Sequence, residues 1–341
     1  MAKKLTQKTK KLAQKNILVI GAGTWGTAIA NVLAGNNHNV LLSSIESDVV
    51  TEINDKHRSS KYLPNIILES NLKSAINYDD FAKDCDFIFI VVPSLVANEV
   101  FIDLSKKDFI PYKCSFVICS KGLNPDSLEL LTDSFVKINK NRKYAILSGP
   151  NFAVEVAAKM PTITNICCEE VNLANDIISI LNNDYFRAIY DSQPIAAEIC
   201  GIIKNILAIG CGVIDGLELG VNAKAAIITY GAQEIKELCK FFGCDARIST
   251  AAGFGDIFLT CSSNKSRNNS LGIKLALGEK YQDIIKQNNI TYEGAISAVS
   301  VIKLCQKNNI NLPLCQAIHD IIYKNYSTEQ IKQKIITTLI K

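Results

Sequence analysis

NILVIGAGTWGTAIANVLAG, residues 16–35, opens with a continuously apolar run, Ile17–Ile20, and then sets Gly21, Gly23 and Gly26 in G-x-G-x-x-G register. A helical pattern, TAIANVLAG, follows at once. The spacing alone is a weak signal, but a buried strand before it and a helix after it are the context that a dinucleotide site requires. Glycines there let the backbone turn tightly and approach a pyrophosphate, whose charge then meets the amides of a helix N-terminus. The alternative is a glycine turn that only packs strand on helix.

Outward from this stretch, apolar runs alternate with helical patterns to about residue 190. NVLLSS, DFIFIVVP, SFVICSKG and YAILSGP read as further strands, several apolar throughout, as strands covered on both faces must be. The alternation predicts βαβ units and a mostly parallel sheet. After DSQPIAAE, where Pro194 suits the first turn of a helix, the pattern becomes helical to the end. The expected organisation is a basic tail at 1–15, an α/β dinucleotide-binding domain at 16–192 and an all-α substrate domain at 193–341.

Composition excludes several classes. With 341 residues, 48% hydrophobic and 21% charged, the chain can build two sizeable cores. Its net charge of +4 includes the lysine-rich start MAKKLTQKTKK, so the remainder is near balance and shows no nucleic-acid surface. That start lacks the apolar core of a signal peptide, and the apolar stretch after it is glycine-broken, so the expectation is a cytoplasmic protein without a membrane span. The twelve cysteines fall almost entirely within apolar runs and make no C-x-x-C pair, and His38, His57 and His319 are scattered. Small buried hydrophobes in a reducing compartment are the expectation, with no metal site.

Two places hold candidate chemistry with open readings. In the second strand, an acid or an arginine at the end distinguishes NAD from NADP. Here Ser43, Ser44, Ile45 and Glu46 stand there; Glu46 is either a ribose ligand or a solvated charge, and the choice of cofactor stays open. In ICGIIKNILAIGCGVI, residues 199–214, Lys204 interrupts an apolar helix. It either lays its stem over the helix and lifts its ammonium into water, or faces a ligand cavity as a tunable acid.

Five further stretches point to one family. VVPS at 91–94, CSKGL at 119–123, LSGPNFAVEVAAKMPT at 147–162, GIIKNILAIG at 201–210, and AAGFGDIFLTC at 251–261 with SRN at 266–268 together resemble the bacterial-type NAD(P)-dependent glycerol-3-phosphate dehydrogenases, from residue 17 to about 300. The resemblance implies a Rossmann-like N-terminal domain, an all-helical C-terminal domain and a homodimer. It implies interconversion of dihydroxyacetone phosphate and sn-glycerol 3-phosphate with NAD(H) or NADP(H), supplying phospholipid synthesis. Carried over by position, it makes Lys204 the proton donor and acceptor, with Lys121 and Asp256 beside it. Gly149, Asn151, Asn205, Thr260, Ser266, Arg267 and Asn268 join them as substrate contacts, the last three at the phosphate. Thr24, Trp25, Lys121, Ala153, Arg267, Thr291 and Glu293 join the glycines as cofactor contacts. Three positions depart from the family pattern: Asn151 replaces a serine or threonine, Ile45 an arginine, and Ile202 a smaller residue.

A β-hydroxyacid dehydrogenase, which also sets a lysine and an asparagine on a helix, would carry an early carboxylate-binding motif instead of SRN. A dinucleotide sensor without catalysis would keep the glycines but have no need of Lys121, Lys204 and Asp256.

Overall fold

The computed structural model describes residues 13–288 and 290–340. The expected basic tail therefore lies outside the described residues except for 13–15. Strands β1 (Asn16–Ile20), β2 (Asn39–Ser43), β3 (Lys73–Ala75), β4 (Phe87–Ile90), β5 (Ser115–Ile118), β6 (Tyr144–Ser148), β7 (Thr162–Cys167) and β8 (Phe186–Asp191) form one sheet. Between them run α1 (Thr24–Gly35), α2 (Ser47–Lys56), α3 (Asp79–Ala82), α4 (Ser94–Ser105), α5 (Leu131–Ile138), α6 (Ala153–Ala157) and α7 (Val171–Leu181). Then come α8 (Pro194–Gly216), α9 (Gly220–Phe241), a π-helical turn (Ala251–Gly255), α10 (Asp256–Ser262), α11 (Arg267–Ala276), α12 (Tyr281–Asn288), α13 (Glu293–Asn308), α14 (Pro313–Tyr323) and α15 (Thr328–Ile340).

The strand order is β3-β2-β1-β4-β5-β6-β7-β8, with every neighbouring pair parallel except β6 and β7. Chain direction across the sheet reverses between β1 and β4, which opens a crevice at the carboxyl ends of the strands, where ligands bind in such sheets. Alternation along the strands feeds two cores. Ile17, Val19 and Phe89 join Ile29, Leu33 and Ile177 on one face, while Leu18, Ile88 and Ile90 join Phe101 and Phe135 on the other.

Helix α8 is the axis of the C-terminal part. It starts with Pro194 in its first turn, and everything from Ala196 to Ile214 is buried. By length and composition it could cross a membrane, but its apolar window lies wholly inside the fold. Neighbours α9, α10, α11 and α13 wrap it. A fully buried Ile or Leu stabilises by about 1.5–3 kcal/mol, so Ile199, Ile203, Ile206, Leu207 and Ile209 together can offset the several kcal/mol that burying an ammonium costs. Glu198 ties this helix to the sheet domain. Its carboxylate accepts from the Leu131 N–H at 2.6 Å and the Thr132 hydroxyl at 2.6 Å. Burial raises its pKa to about 7 against the pull of those bonds.

Candidate active site

The glycine loop has the shape that a pyrophosphate needs. Gly21 adopts φ +110° and lies so close to the Val91 carbonyl that a Cβ would stand 2.3 Å from it. At Gly26 a Cβ would meet the Gly21 carbonyl at 1.8 Å, so only glycine lets α1 start against the loop. Gly23 is different: a Cβ there meets nothing within 4 Å, and no side chain caps the helix that follows. The loop therefore leaves an open cradle at an uncapped helix start, which fits a dinucleotide phosphate. Thr24 begins that helix, and Trp25 packs against the core behind it.

At the end of β2, Ile45 is 96% exposed. Glu46 is not a free loop charge: its carboxylate accepts from the Lys61 ammonium and the Tyr62 hydroxyl, which hold its pKa below the usual carboxylate range.

Strand β5 ends in the loop that carries Lys121, and α8 makes room for it with Gly201, where a Cβ would crowd the Lys121 stem at 3.1 Å. Lys121 Nζ donates to Ser148 Oγ at 2.8 Å and to Asp256 Oδ2 at 2.8 Å. From the other side, Lys204 Nζ donates to Asp256 Oδ1 at 2.5 Å. Asp256 is 2% exposed. Burial works to raise its pKa, and the ammonium groups of Lys121 and Lys204 outweigh that and hold it low. Lys204 is 9% exposed and does not reach solvent like a surface lysine. Burial lowers its pKa to about 8; Asp256 resists that shift and Lys121 adds to it. Both Asp256 carboxylate oxygens face lysines, so the side chain does not serve as a helix cap. Thr260, one turn on, donates to the Asp256 carbonyl at 2.7 Å and lies 3.4 Å from Oδ1.

Asn205, next to Lys204, donates to the Gly201 carbonyl and accepts from Asn268 Nδ2 at 3.1 Å. Asn268 in turn accepts from the Gly294 N–H at 3.1 Å. Ser266 caps α11, accepting from the Asn269 N–H. Arg267 and Asn268 thus lie inside the first turn of the helix. Arg267 is exposed and forms no hydrogen bond or ion pair among the described residues. Glu293, at the start of α13, accepts from the Ser94 hydroxyl at 2.7 Å and its N–H at 3.3 Å, and burial raises its pKa. This contact joins α13 to the start of α4, beside the glycine loop on the neighbouring strand.

A buried lysine poised near 8, the aspartate it donates to, and an open cradle at an uncapped helix start thus lie at the carboxyl ends of the strands. Sequence profiles described as the NAD-dependent glycerol-3-phosphate dehydrogenase N-terminus and C-terminus match residues 16–174 and 193–333. The chain belongs to the NAD-dependent glycerol-3-phosphate dehydrogenase family. It is therefore an oxidoreductase of the NAD(H)- or NADP(H)-dependent kind. A relative from Maricaulis maris, named glycerol-3-phosphate dehydrogenase [NAD(P)+], is 34% identical over 326 residues, covering 94% of this chain and 96% of that one. The crystal structure of glycerol-3-phosphate dehydrogenase from Coxiella burnetii superposes with a TM-score of 0.89 at 34% identity, covering 95% of this chain and 99% of that one. The yeast structure of the same name has a TM-score of 0.81 at 26% identity, covering 95% and 99%.

Within this dehydrogenase, the family-derived residues divide. Lys121, Lys204, Asn205, Asp256, Thr260 and Asn268 form one connected group, with Ser266 and Arg267 at its edge. Glu293 is linked to it through Gly294. Three positions answer to packing. Gly149 makes room for β7: a Cβ there would stand 2.7 Å from Thr164 Cα. Asn151 donates to the Ile163 carbonyl on β7 at 2.9 Å. Ala153 begins α6 and packs on the core, while Thr291 is exposed ahead of α13. Sequence reasoning overlooked Ser94, Ser148 and Asn165. The first two lay in the quoted VVPS and LSGP strings, but a lone serine carries no periodic or spacing signal. The cysteines are buried except Cys244, which is partly exposed. Among the described residues no cluster of three or more His, Cys, Asp or Glu could hold a metal.

Proposed function

We propose that this chain interconverts dihydroxyacetone phosphate and sn-glycerol 3-phosphate, with Lys204 as the proton donor and acceptor. The observation that supports this most strongly is the Lys121–Asp256–Lys204 chain, with Asp256 and Lys204 buried, at the carboxyl edge of the sheet. A nicotinamide dinucleotide with its pyrophosphate on the Gly21–Gly26 cradle would supply or accept the hydride at C2. Negative charge then grows on the C2 oxygen, and the Lys204 ammonium stabilises it and gives it a proton. Asp256 keeps that ammonium aimed, and Lys121 retains a donor for the substrate after its two protein bonds. Ser266, Arg267 and Asn268 take the phosphate at the start of α11. We assign residues 16–192 to cofactor binding and 193–341 to substrate binding, and expect a cytoplasmic homodimer whose product feeds phospholipid synthesis. Oxidation of NADH on addition of dihydroxyacetone phosphate, followed at 340 nm in absorbance, tests the reaction; no turnover with either NADH or NADPH sinks it.

The Lys204 pKa sets the sign of a pH effect. Reduction needs the ammonium, which is lost as pH rises through about 8; oxidation of glycerol phosphate needs the neutral amine, which appears over the same range. The kcat for reduction therefore falls, and that for oxidation rises, between about pH 7 and 9.5. Two profiles bending in the same direction contradict the assignment.

Cofactor choice follows from the end of β2. Ile45 offers no charge to a 2′-phosphate, and Glu46 places a carboxylate nearby. NADPH is expected to be favoured weakly or not at all, and Ile45→Arg should raise the NADPH to NADH ratio of kcat/KM. Strong NADPH preference in the parent would mean another group reads that phosphate, with Lys61 the cation to replace next.

A further inference from the structure

The one antiparallel pair in the sheet, β6 with β7, sets Ser148 opposite Asn165. Both are buried, at 1% and 5% exposure; Ser148 reaches one half of the Lys121–Asp256 ion pair, and Asn165 reaches the backbone turn that leads to the other half. Ser148 Oγ accepts from Lys121 Nζ at 2.8 Å. Asn165 Oδ1 accepts from the Ala252 N–H at 2.8 Å, while its Nδ2 donates to the Ile189 carbonyl on β8 at 3.2 Å, which locks the amide's orientation. Ala252 belongs to the π-helical turn that delivers Asp256. That turn is irregular, with Gly253 at φ −89°, ψ −106° inside it, so helical hydrogen bonding does not by itself determine where Asp256 points. Lys121 has the complementary weakness: an ammonium on a flexible four-carbon stem takes its position from its partners.

We propose that Ser148 and Asn165 act together as positioning residues, one rung of the sheet holding Lys121 by its side chain and Asp256 by its backbone turn. The register of that rung sets how Lys121 and Asp256 meet and, through Asp256, how Lys204 is aimed. This rests on the reading of Lys204 as the proton donor. It adds an anchor in the sheet domain for a carboxylate carried by the helical part, so the two parts share responsibility for one geometry. Misplacement by about 1 Å of groups that act on a transition state can cost on the order of a hundredfold.

The test is a mutant cycle read through kcat, KM for dihydroxyacetone phosphate, and NADH affinity by fluorescence. Ser148→Ala is expected to lower kcat about tenfold or more and to raise KM, because Lys121 loses one of its two fixed partners, while NADH affinity stays at the parent value. Ser148→Thr keeps the hydroxyl and should return kcat to within about threefold of the parent. Asn165→Ala should lower kcat in the same way, and the double variant should lose clearly less than the product of the two single losses, since both act on one ion pair. Parent-like kinetics in Ser148→Ala, no rescue by threonine, or losses that multiply would each overturn the proposal. If Asn165→Ala does not fold, the alanine and threonine variants at 148 decide it alone. An inactive Lys204→Met beside a fully active Ser148→Ala rejects the positioning role only; a fully active Lys204→Met rejects the proton-donor reading itself.

Discussion

Lys204→Met lowers kcat on the order of a hundredfold or more while NADH affinity stays unchanged. Methionine retains the stem's length and apolar contacts in the packed helix, so the fold keeps most of what the lysine side chain contributes to it. What it removes is the charge 2.5 Å from Asp256 and the proton destined for the C2 oxygen. Asp256 keeps Lys121 as a counter-ion, so the carboxylate is not left buried alone, the situation that makes breaking a buried pair so damaging. The glycine cradle proposed for the dinucleotide is a separate region of the chain, so NADH binding should be little affected. General acid catalysis contributes about a hundredfold to ten-thousandfold. A variant that binds NADH normally and turns over within about threefold of the parent would be below that range, and would return Lys204 to a packing role. Thermal unfolding of the variant, run alongside, separates lost chemistry from lost structure.

Removing the substrate's phosphate has an effect of similar size. Dihydroxyacetone offers the same ketone to Lys204 but nothing to Ser266, Arg267 and Asn268. Hydrogen bonds to charged groups contribute about 1.5–3 kcal/mol each, so losing two of them lowers kcat/KM on the order of a thousandfold. Much of this loss should fall on kcat, because binding a remote group stabilises the transition state at the reacting carbon. Arg267→Ala tells the phosphate site from a general effect. The Arg267 side chain is exposed and its charge acts on the buried Glu293 carboxylate; the substitution should cost dihydroxyacetone phosphate on the order of thirtyfold or more in kcat/KM, with a much smaller effect on the slow turnover of dihydroxyacetone. Equal kcat/KM for the two ketones in the parent would remove the phosphate site from α11.

Features whose signals are local were legible in the chain. Gly21, Gly23 and Gly26 sit between an apolar strand and a helix, so turn, cradle and helix start could be read from adjacent residues. The alternation to residue 190 and its loss after Pro194 show a parallel sheet followed by helices, because each pattern repeats within a few residues. Lys204 stood out as a charge in an apolar helix, and the family resemblance named its neighbours. Whether that ammonium was solvated or buried was undecidable there, since it depends on α10, α11 and α13 closing over α8, and no spacing within α8 reports them.

The remaining features depend on how distant segments pack. Asp256 meets Lys204 across 52 positions of chain and Lys121 across 135, separations over which sequence periodicity carries no information. Glu46 looked equally like a ribose ligand or a solvated charge until Lys61 and Tyr62 came up beside it from a later loop. Gly149 packs closely on β7, whose antiparallel direction no local pattern announced. Ser148, Asn165 and Ser94 were invisible for the same reason. A single polar residue acquires a role only when folding removes the water around it and leaves one partner within reach, and that partner is chosen by how the sheet and helices pack.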